Sequence, residues 1–99
     1  MFTKRKSIKQ IEEGKDLAPK FDKFGLIPVI TTDFKKGNVL MHGYMNRKAL
    51  KKTIETGEVY YWSRSRKVIW HKGANSGFIQ IVREIRIDDD QDAIWVRVN

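Results

Sequence analysis

Two stretches of the 99-residue sequence combine residue types that do chemistry together. The first is Asp88-Asp89-Asp90-Gln91-Asp92. On an extended backbone alternate side chains project to one side, so Asp88, Asp90 and Asp92 can converge while Asp89 points away. Three converging carboxylates repel unless a cation neutralises them, and Mg2+ prefers hard oxygen ligands of this kind. From spacing alone a solvated acidic turn is the simpler reading, since charge runs usually face water. An EF-hand loop does not fit, because Ala93 and Asn99 stand where its glycine and its last glutamate belong.

The second stretch is Tyr61-Trp62-Ser63-Arg64-Ser65-Arg66, followed by Trp70-His71-Lys72-Gly73 and Ser76-Gly77. Arginine offers a planar fork for phosphate, serine adds donors, and glycine lets backbone N–H groups come close. Tryptophan and tyrosine supply faces on which a purine can stack. The set has the composition of an anion-plus-base pocket; a basic surface loop with its aromatics in the core fits the residue types as well. His42 lies inside an apolar strand and reads as structural. His71 adds positive potential beside the loop.

Composition narrows the classes. Lys and Arg number 20 against 12 acids, a net charge of +8, and a basic surface attracts phosphates. No cysteine is present, which excludes disulfides, thiolate zinc sites and cysteine nucleophiles. No apolar run reaches the ~20 residues that cross a bilayer, and the N-terminus lacks a signal-peptide core, so a cytoplasmic address is expected and no membrane partner. Neither a GxGxxG nor a Walker A pattern occurs.

The elements that must position these residues follow from periodicity and punctuation. Strands are expected at Leu26–Thr31, Val39–Met45, Glu58–Ser63, Val68–Trp70, Phe78–Ile87 and Ala93–Val98. Pro28 belongs at an edge or near a strand start. Asn46 reads as the N-cap of a helix over 47–56 with Gly57 as its stop, and Leu50 and Ile54 share its apolar face. Ser7 and Gln10 have capping-box spacing for a short helix ending near Gly14. The expected class is therefore α+β and β-rich, with a basic helical segment over 1–20 and one main domain over 21–99.

Phe21-Asp22-Lys23-Phe24-Gly25-Leu26-Ile27-Pro28-Val29-Ile30, Tyr44-Met45-Asn46, Ala49-Leu50 and Thr56-Gly57 resemble segments of the phosphoribosyl-AMP cyclohydrolase family. The Tyr61–Arg66 run with Trp70, Lys72-Gly73 and Ser76-Gly77 resembles its most specific signature, and Asp88-x-Asp90-Gln91-Asp92 its metal motif. The resemblance implies a compact twisted sheet or barrel with one or two helices, in an intertwined homodimer. It implies a phosphoribosyl-adenine nucleotide bound by Trp62, Ser63, Arg64, Ser65, Arg66, Trp70, Lys72, Gly73, Ser76 and Gly77. It also implies Mg2+ on Asp88, Asp90 and Asp92.

Departures from the pattern are equally specific. Asp89 stands where the family has a cysteine, and Lys48 where it has a glutamate. Two further family cysteines follow in a segment beyond Asn99. In the family the three thiolates hold zinc, which activates the attacking water. No Zn2+ is therefore expected. The reading that follows is a protein that binds and sequesters an adenine-ribose-phosphate nucleotide, a signalling nucleotide being one candidate, without hydrolysing it. The alternative is a phosphoribosyl-AMP cyclohydrolase of histidine biosynthesis with altered metal use, assisted by Asp89, His42 or His71 or by a separate chain. A nucleic-acid binder ranks last, because the basic residues are scattered and no recognition motif appears.

Overall fold

Alternating apolar residues in Leu26–Asp33 and Ile94–Val98 form the two central strands of the fold. In the computed structural model, which describes residues 2–7 and 17–99, these are β1 (Leu26–Asp33) and β6 (Ile94–Val98). They run parallel, with Val29 opposite Ile94 and Thr31 opposite Val96. β2 (Val39–Asn46) pairs antiparallel with the outer side of β1, and β5 (Val82–Ile87) antiparallel with β6. The order is β2-β1-β6-β5. A second sheet is the hairpin of β3 (Tyr60–Ser63) and β4 (Val68–His71). The architecture is α+β and β-rich, with both sheets open and one helix among the described residues. Pro28 sits in β1 just before the pairing with β6 begins at Val29, so its missing N–H costs that ladder nothing.

Helix α1 (Arg47–Thr56) follows β2 without a loop. The Asn46 side chain accepts from the Ala49 N–H at 2.8 Å, and Gly57, at φ 74°, donates to the Thr53 carbonyl. Both caps are those the sequence predicts. Its buried face is Ala49, Leu50 and Thr53, while Ile54 stays 37% exposed at the margin. The Thr53 hydroxyl donates to the Ala49 carbonyl and accepts the Tyr60 N–H at 3.0 Å, which ties the helix to β3.

The core collects Ile27, Val29, Met45, Leu50, Val59, Tyr61, Val96 and Val98, all essentially closed to solvent. Tyr61 links the hairpin to the main sheet. Its hydroxyl bonds to Thr31 Oγ1 at 2.6 Å and donates to Gln80 Oε1 at 2.8 Å. Gly43 in β2 makes room for its ring, since a Cβ there would lie 2.9 Å from Tyr61 Cδ1.

The expected strand over Phe78–Ile87 is shorter in the structure. Phe78–Gln80 pairs with no strand, Ile81 makes an isolated bridge to Glu58, and β5 starts at Val82. The register then shifts between Val82 and Glu84, where Arg83 interrupts the alternation. Consequently Ile79 and Ile81 stay 40% and 44% exposed, while Ile85 and Ile87 pack on the core. Beside this segment, the backbone of Gly73 lies directly against that of Phe78 and Ile79.

The short helix expected near Gly14 falls in 8–16, outside the described residues. Around it, the Thr3 N–H donates to the Leu17 carbonyl and the Lys20 N–H to the Gln91 carbonyl. Phe2 packs against the core, and Arg47 lies over the Phe2 and Phe21 rings. No described helix is long and apolar enough to cross a membrane.

Candidate functional site

The hairpin sets the geometry of the basic-aromatic stretch. Tyr61 faces Trp70 and Ser63 faces Val68 across its two strands, so these side chains share one face. At the tip the Arg66 N–H donates to Ser63 Oγ and the Lys67 N–H to the Ser63 carbonyl. After β4 the chain winds through residues 72–77, where the Gly77 N–H donates to the Gly73 carbonyl at 2.8 Å. Between hairpin and winding loop opens a cavity of about 530 Å3. Six of the ten expected nucleotide-binding residues line it: Ser63, Arg66, Trp70, Lys72, Gly73 and Ser76.

The other four stand elsewhere around it. Trp62 projects from the opposite face of the hairpin, paired with Ile69. Arg64 is laid over the Tyr44 ring, its guanidinium carbon 4.0 Å from the centroid, which leaves its fork directed by that aromatic face. Ser65 Oγ lies 3.4 Å from Ser63 Oγ. Gly77, at φ 83°, closes the winding loop. Within the cavity the residues offer two cationic side chains, two hydroxyls and one indole, a set that can hold a phosphate and stack a base.

His71 also lines the cavity, and its Nε2 lies 2.7 Å from Glu58 Oε1. Sequence reasoning gave His71 a charge beside the loop or a part in altered metal use, and overlooked Glu58. The available signal was strand alternation: Glu58 and Tyr60 are two apart, and the hairpin register sets Tyr60 opposite His71. His42, expected to be structural, is exposed on β2 with its ring edge-on to Tyr44.

The acidic run does converge, by a different route from the expected pleat. Residues 88–93 form the turn between β5 and β6, with the Gln91 N–H donating to the Asp88 carbonyl and Gln91 itself at φ 57°. Asp88 Oδ1 accepts the N–H groups of Asp92 and Ala93 at 2.9 and 3.1 Å. Carboxylate oxygens of Asp88, Asp90 and Asp92 come within 4.8 Å of one another, and Asp89 stands outside the group. The turn is braced from below. Gln91 is buried and its Oε1 accepts the Ala18 N–H, while Arg5 donates to the Ala18 and Asp90 carbonyls. None of the three acids lines the cavity.

Crowding splits their titration. Bonding to Asp88 and then Asp90 pushes the Asp92 carboxyl up to about 6. Burial opposes charge on Asp88, but its bonds from Asp92 and from the Asp92 and Ala93 N–H groups hold it below the usual range. Asp92 thus binds its proton more tightly folded than unfolded. Its contribution to stability is complete below about pH 4 and is lost as pH rises to about 6. In chelator-treated protein, 13C NMR should find the Asp92 carboxyl midpoint near 6, moving toward 4 in Asp88→Asn. An unshifted Asp92 in wild type would mean that the acids do not meet.

Hard oxygen donors at this spacing suit Mg2+. A thiolate zinc site has no such fit, since the chain has no cysteine.

The hairpin cavity and the acidic turn both lie in the part of the chain that comparison with known proteins matches to a family. Residues 41–99 match the family described as phosphoribosyl-AMP cyclohydrolase. The chain belongs to the phosphoribosyl-AMP cyclohydrolase family. It is 54% identical over 92 residues to the phosphoribosyl-AMP cyclohydrolase of Rhodopseudomonas palustris strain BisB5, covering 93% of this chain and 63% of the relative. The proteins of that name from strain HaA2 and from Nitrobacter winogradskyi are 55% and 50% identical over 93 residues each, 94% of this chain and 63% and 64% of theirs. The chain therefore spans less than two thirds of the length of these relatives.

These relatives correct the expectation of a sequestering protein that does not hydrolyse its ligand. At about this identity they carry the name of the hydrolase. That expectation sets the thiolates above the nucleotide-facing residues. Thiolates are one ligand set of the site, and their absence does not speak for the nucleotide-facing residues.

Proposed function

We propose that this chain serves the phosphoribosyl-AMP cyclohydrolase reaction, the hydrolytic opening of the purine ring of phosphoribosyl-AMP. The observation that carries the reading is the hairpin cavity, which Arg66, Lys72, Ser63 and Ser76 line together with Trp70. Arg66 and Lys72 would hold a phosphate of the substrate, and Trp70 would stack against its purine and exclude water from one face. Asp88, Asp90 and Asp92 would hold Mg2+, which when bound supplies positive charge for orienting a phosphate or polarising a water. A second copy of the chain is part of the proposal. The acidic turn does not reach the cavity lining within one chain, so a homodimer offers a way to set one copy's turn beside the other's cavity.

Turnover of phosphoribosyl-AMP, followed by absorbance, tests the reading. The full chain should turn over the substrate with Mg2+ present and lose activity on chelation. Arg66→Ala should raise KM by about 1–3 kcal/mol of lost binding, the range for a charge-assisted hydrogen bond. Asp90→Asn should raise the Mg2+ concentration needed for half-maximal rate. A flat trace with both Mg2+ and Zn2+ supplied, from protein that still binds the substrate, would overturn it.

A further inference from the structure

At the mouth of the cavity, His71 is held on two sides. Its Nε2 lies 2.7 Å from Glu58 Oε1, and its ring stacks on Tyr60 with centroids 4.4 Å apart and planes within 10°. Lys52 Nζ stands 5.3 Å from the centroid of the same Tyr60 ring. Tyr60 and His71 are direct cross-strand partners, so the hairpin register itself enforces the stack. Glu58 is fixed in turn, because its N–H bonds to Thr56 Oγ1 and its residue bridges to Ile81. A carboxylate acceptor on one ring nitrogen dictates that this nitrogen carries a proton. The remaining ring nitrogen, Nδ1, has no hydrogen-bond partner among the described residues. His71 shares the cavity wall with Arg66 and Lys72, the groups suited to an anion.

We infer that His71, oriented by Glu58 and Tyr60, is a ligand-phosphate contact of the cavity, donating an Nδ1–H to a phosphate oxygen while its Nε2–H stays on the Glu58 carboxylate. Glu58 is then a positioning residue. The inference rests on the cavity being the ligand site. Two simultaneous donors require the imidazolium, so a neutral His71 gains a proton when phosphate binds, from solvent or from a singly protonated phosphate. The charged groups around the ring are Glu58, bonded to it, Lys52 beyond Tyr60, and Arg66, Lys72 and the incoming phosphate in the same cavity. Glu58 and the phosphate stabilise the added proton; Arg66, Lys72 and Lys52 oppose it. Without Glu58 the ring loses both its orientation and the carboxylate that balances its charge.

Titration of the full chain with adenosine 5′-monophosphate, and with adenosine as the phosphate-free control, tests this by calorimetry in two buffers of different ionisation enthalpy. His71→Gln should weaken the monophosphate at least tenfold and leave adenosine within about twofold. Glu58→Gln keeps an acceptor but removes the charge, and should give an intermediate loss and a smaller buffer dependence of the heat, the phosphate's own ionisation remaining. In wild type, at a pH where the free imidazole is neutral, 15N spectra should show both nitrogens protonated once the monophosphate is bound. Equal loss of both ligands in His71→Gln, or an Nδ1 signal that ignores the monophosphate, would overturn the inference. Arg66→Ala separates the two levels. If it weakens the monophosphate while His71→Gln does not, the cavity reading stands and the role of His71 falls. If neither variant matters, or wild type does not bind at millimolar ligand, both fall together. Should His71→Gln fail to fold, Glu58→Gln and the wild-type 15N spectra decide alone.

Discussion

Gly73→Ala should destabilise the protein by about 3–5 kcal/mol and empty the cavity of ligand. Two costs combine. Gly73 sits at φ 87°, where an L-residue carries about 1–3 kcal/mol of backbone strain. An added Cβ would also lie 2.3 Å from the Ile79 nitrogen and from the Phe78 carbonyl carbon, both backbone atoms that no rotamer change can move. Overpacking of this kind costs about 1–3 kcal/mol more. Relief requires the 72–77 loop to leave the 78–79 segment, and that loop supplies Lys72 and Ser76 to the cavity. Thermal unfolding should show a fall of about 12–40 °C, given 4–8 °C per kcal/mol at this chain length. Nucleotide affinity should drop at temperatures where the variant is still folded. Gly77→Ala is the control: a Cβ there meets nothing within 4 Å, so only the φ 83° strain remains. Equal losses in the two variants would refute the close-approach argument.

Tyr61→Phe should cost about 2–3 kcal/mol, although it removes a single oxygen. The hydroxyl is a shared partner of Thr31 Oγ1 and Gln80 Oε1, and both residues are buried. Its loss leaves two polar groups competing for no partner, and an unsatisfied buried group costs about 1–3 kcal/mol. A pH signature accompanies the loss. Burial pushes the Tyr61 phenol up to about 12, against a smaller opposing effect of its Thr31 bond. The folded state thus holds the phenolic proton more tightly than the unfolded state. Its contribution is complete below about pH 10 and is lost as pH rises to about 12. Urea melts should therefore show wild type losing stability over pH 10–12 relative to Tyr61→Phe, the two curves converging at the top. Parallel curves across that window would place the hydroxyl in water.

Much of this fold was legible because its signals are local. The Asn46 cap, the Gly57 stop and the Ile94/Val96/Val98 alternation each depend on a few neighbouring residues, and each appears where periodicity puts it. The reading faltered where distant backbone intervenes. Phe78–Gln80 alternates like a strand, yet Phe78 and Ile79 lie against Gly73 and the segment pairs with no strand. Ile54 has helical spacing with Leu50, but the hairpin docks on the Ala49 and Thr53 side, leaving Ile54 at the margin.

The sequence alone determined the residue types of the site: fork and ammonium donors, hydroxyls, an indole and a cluster of carboxylates, together with the absence of any thiol. Side-chain chemistry is a property of each residue and survives any fold. Only the tertiary structure decided which of them meet. It brought six of the ten nucleotide candidates around one cavity, turned Trp62 and Arg64 away, added the Glu58–His71 pair, and gathered the acids by a tight turn at Gln91. Hairpin register and long-range backbone contact set these neighbours, and neither is written in the spacing of one segment.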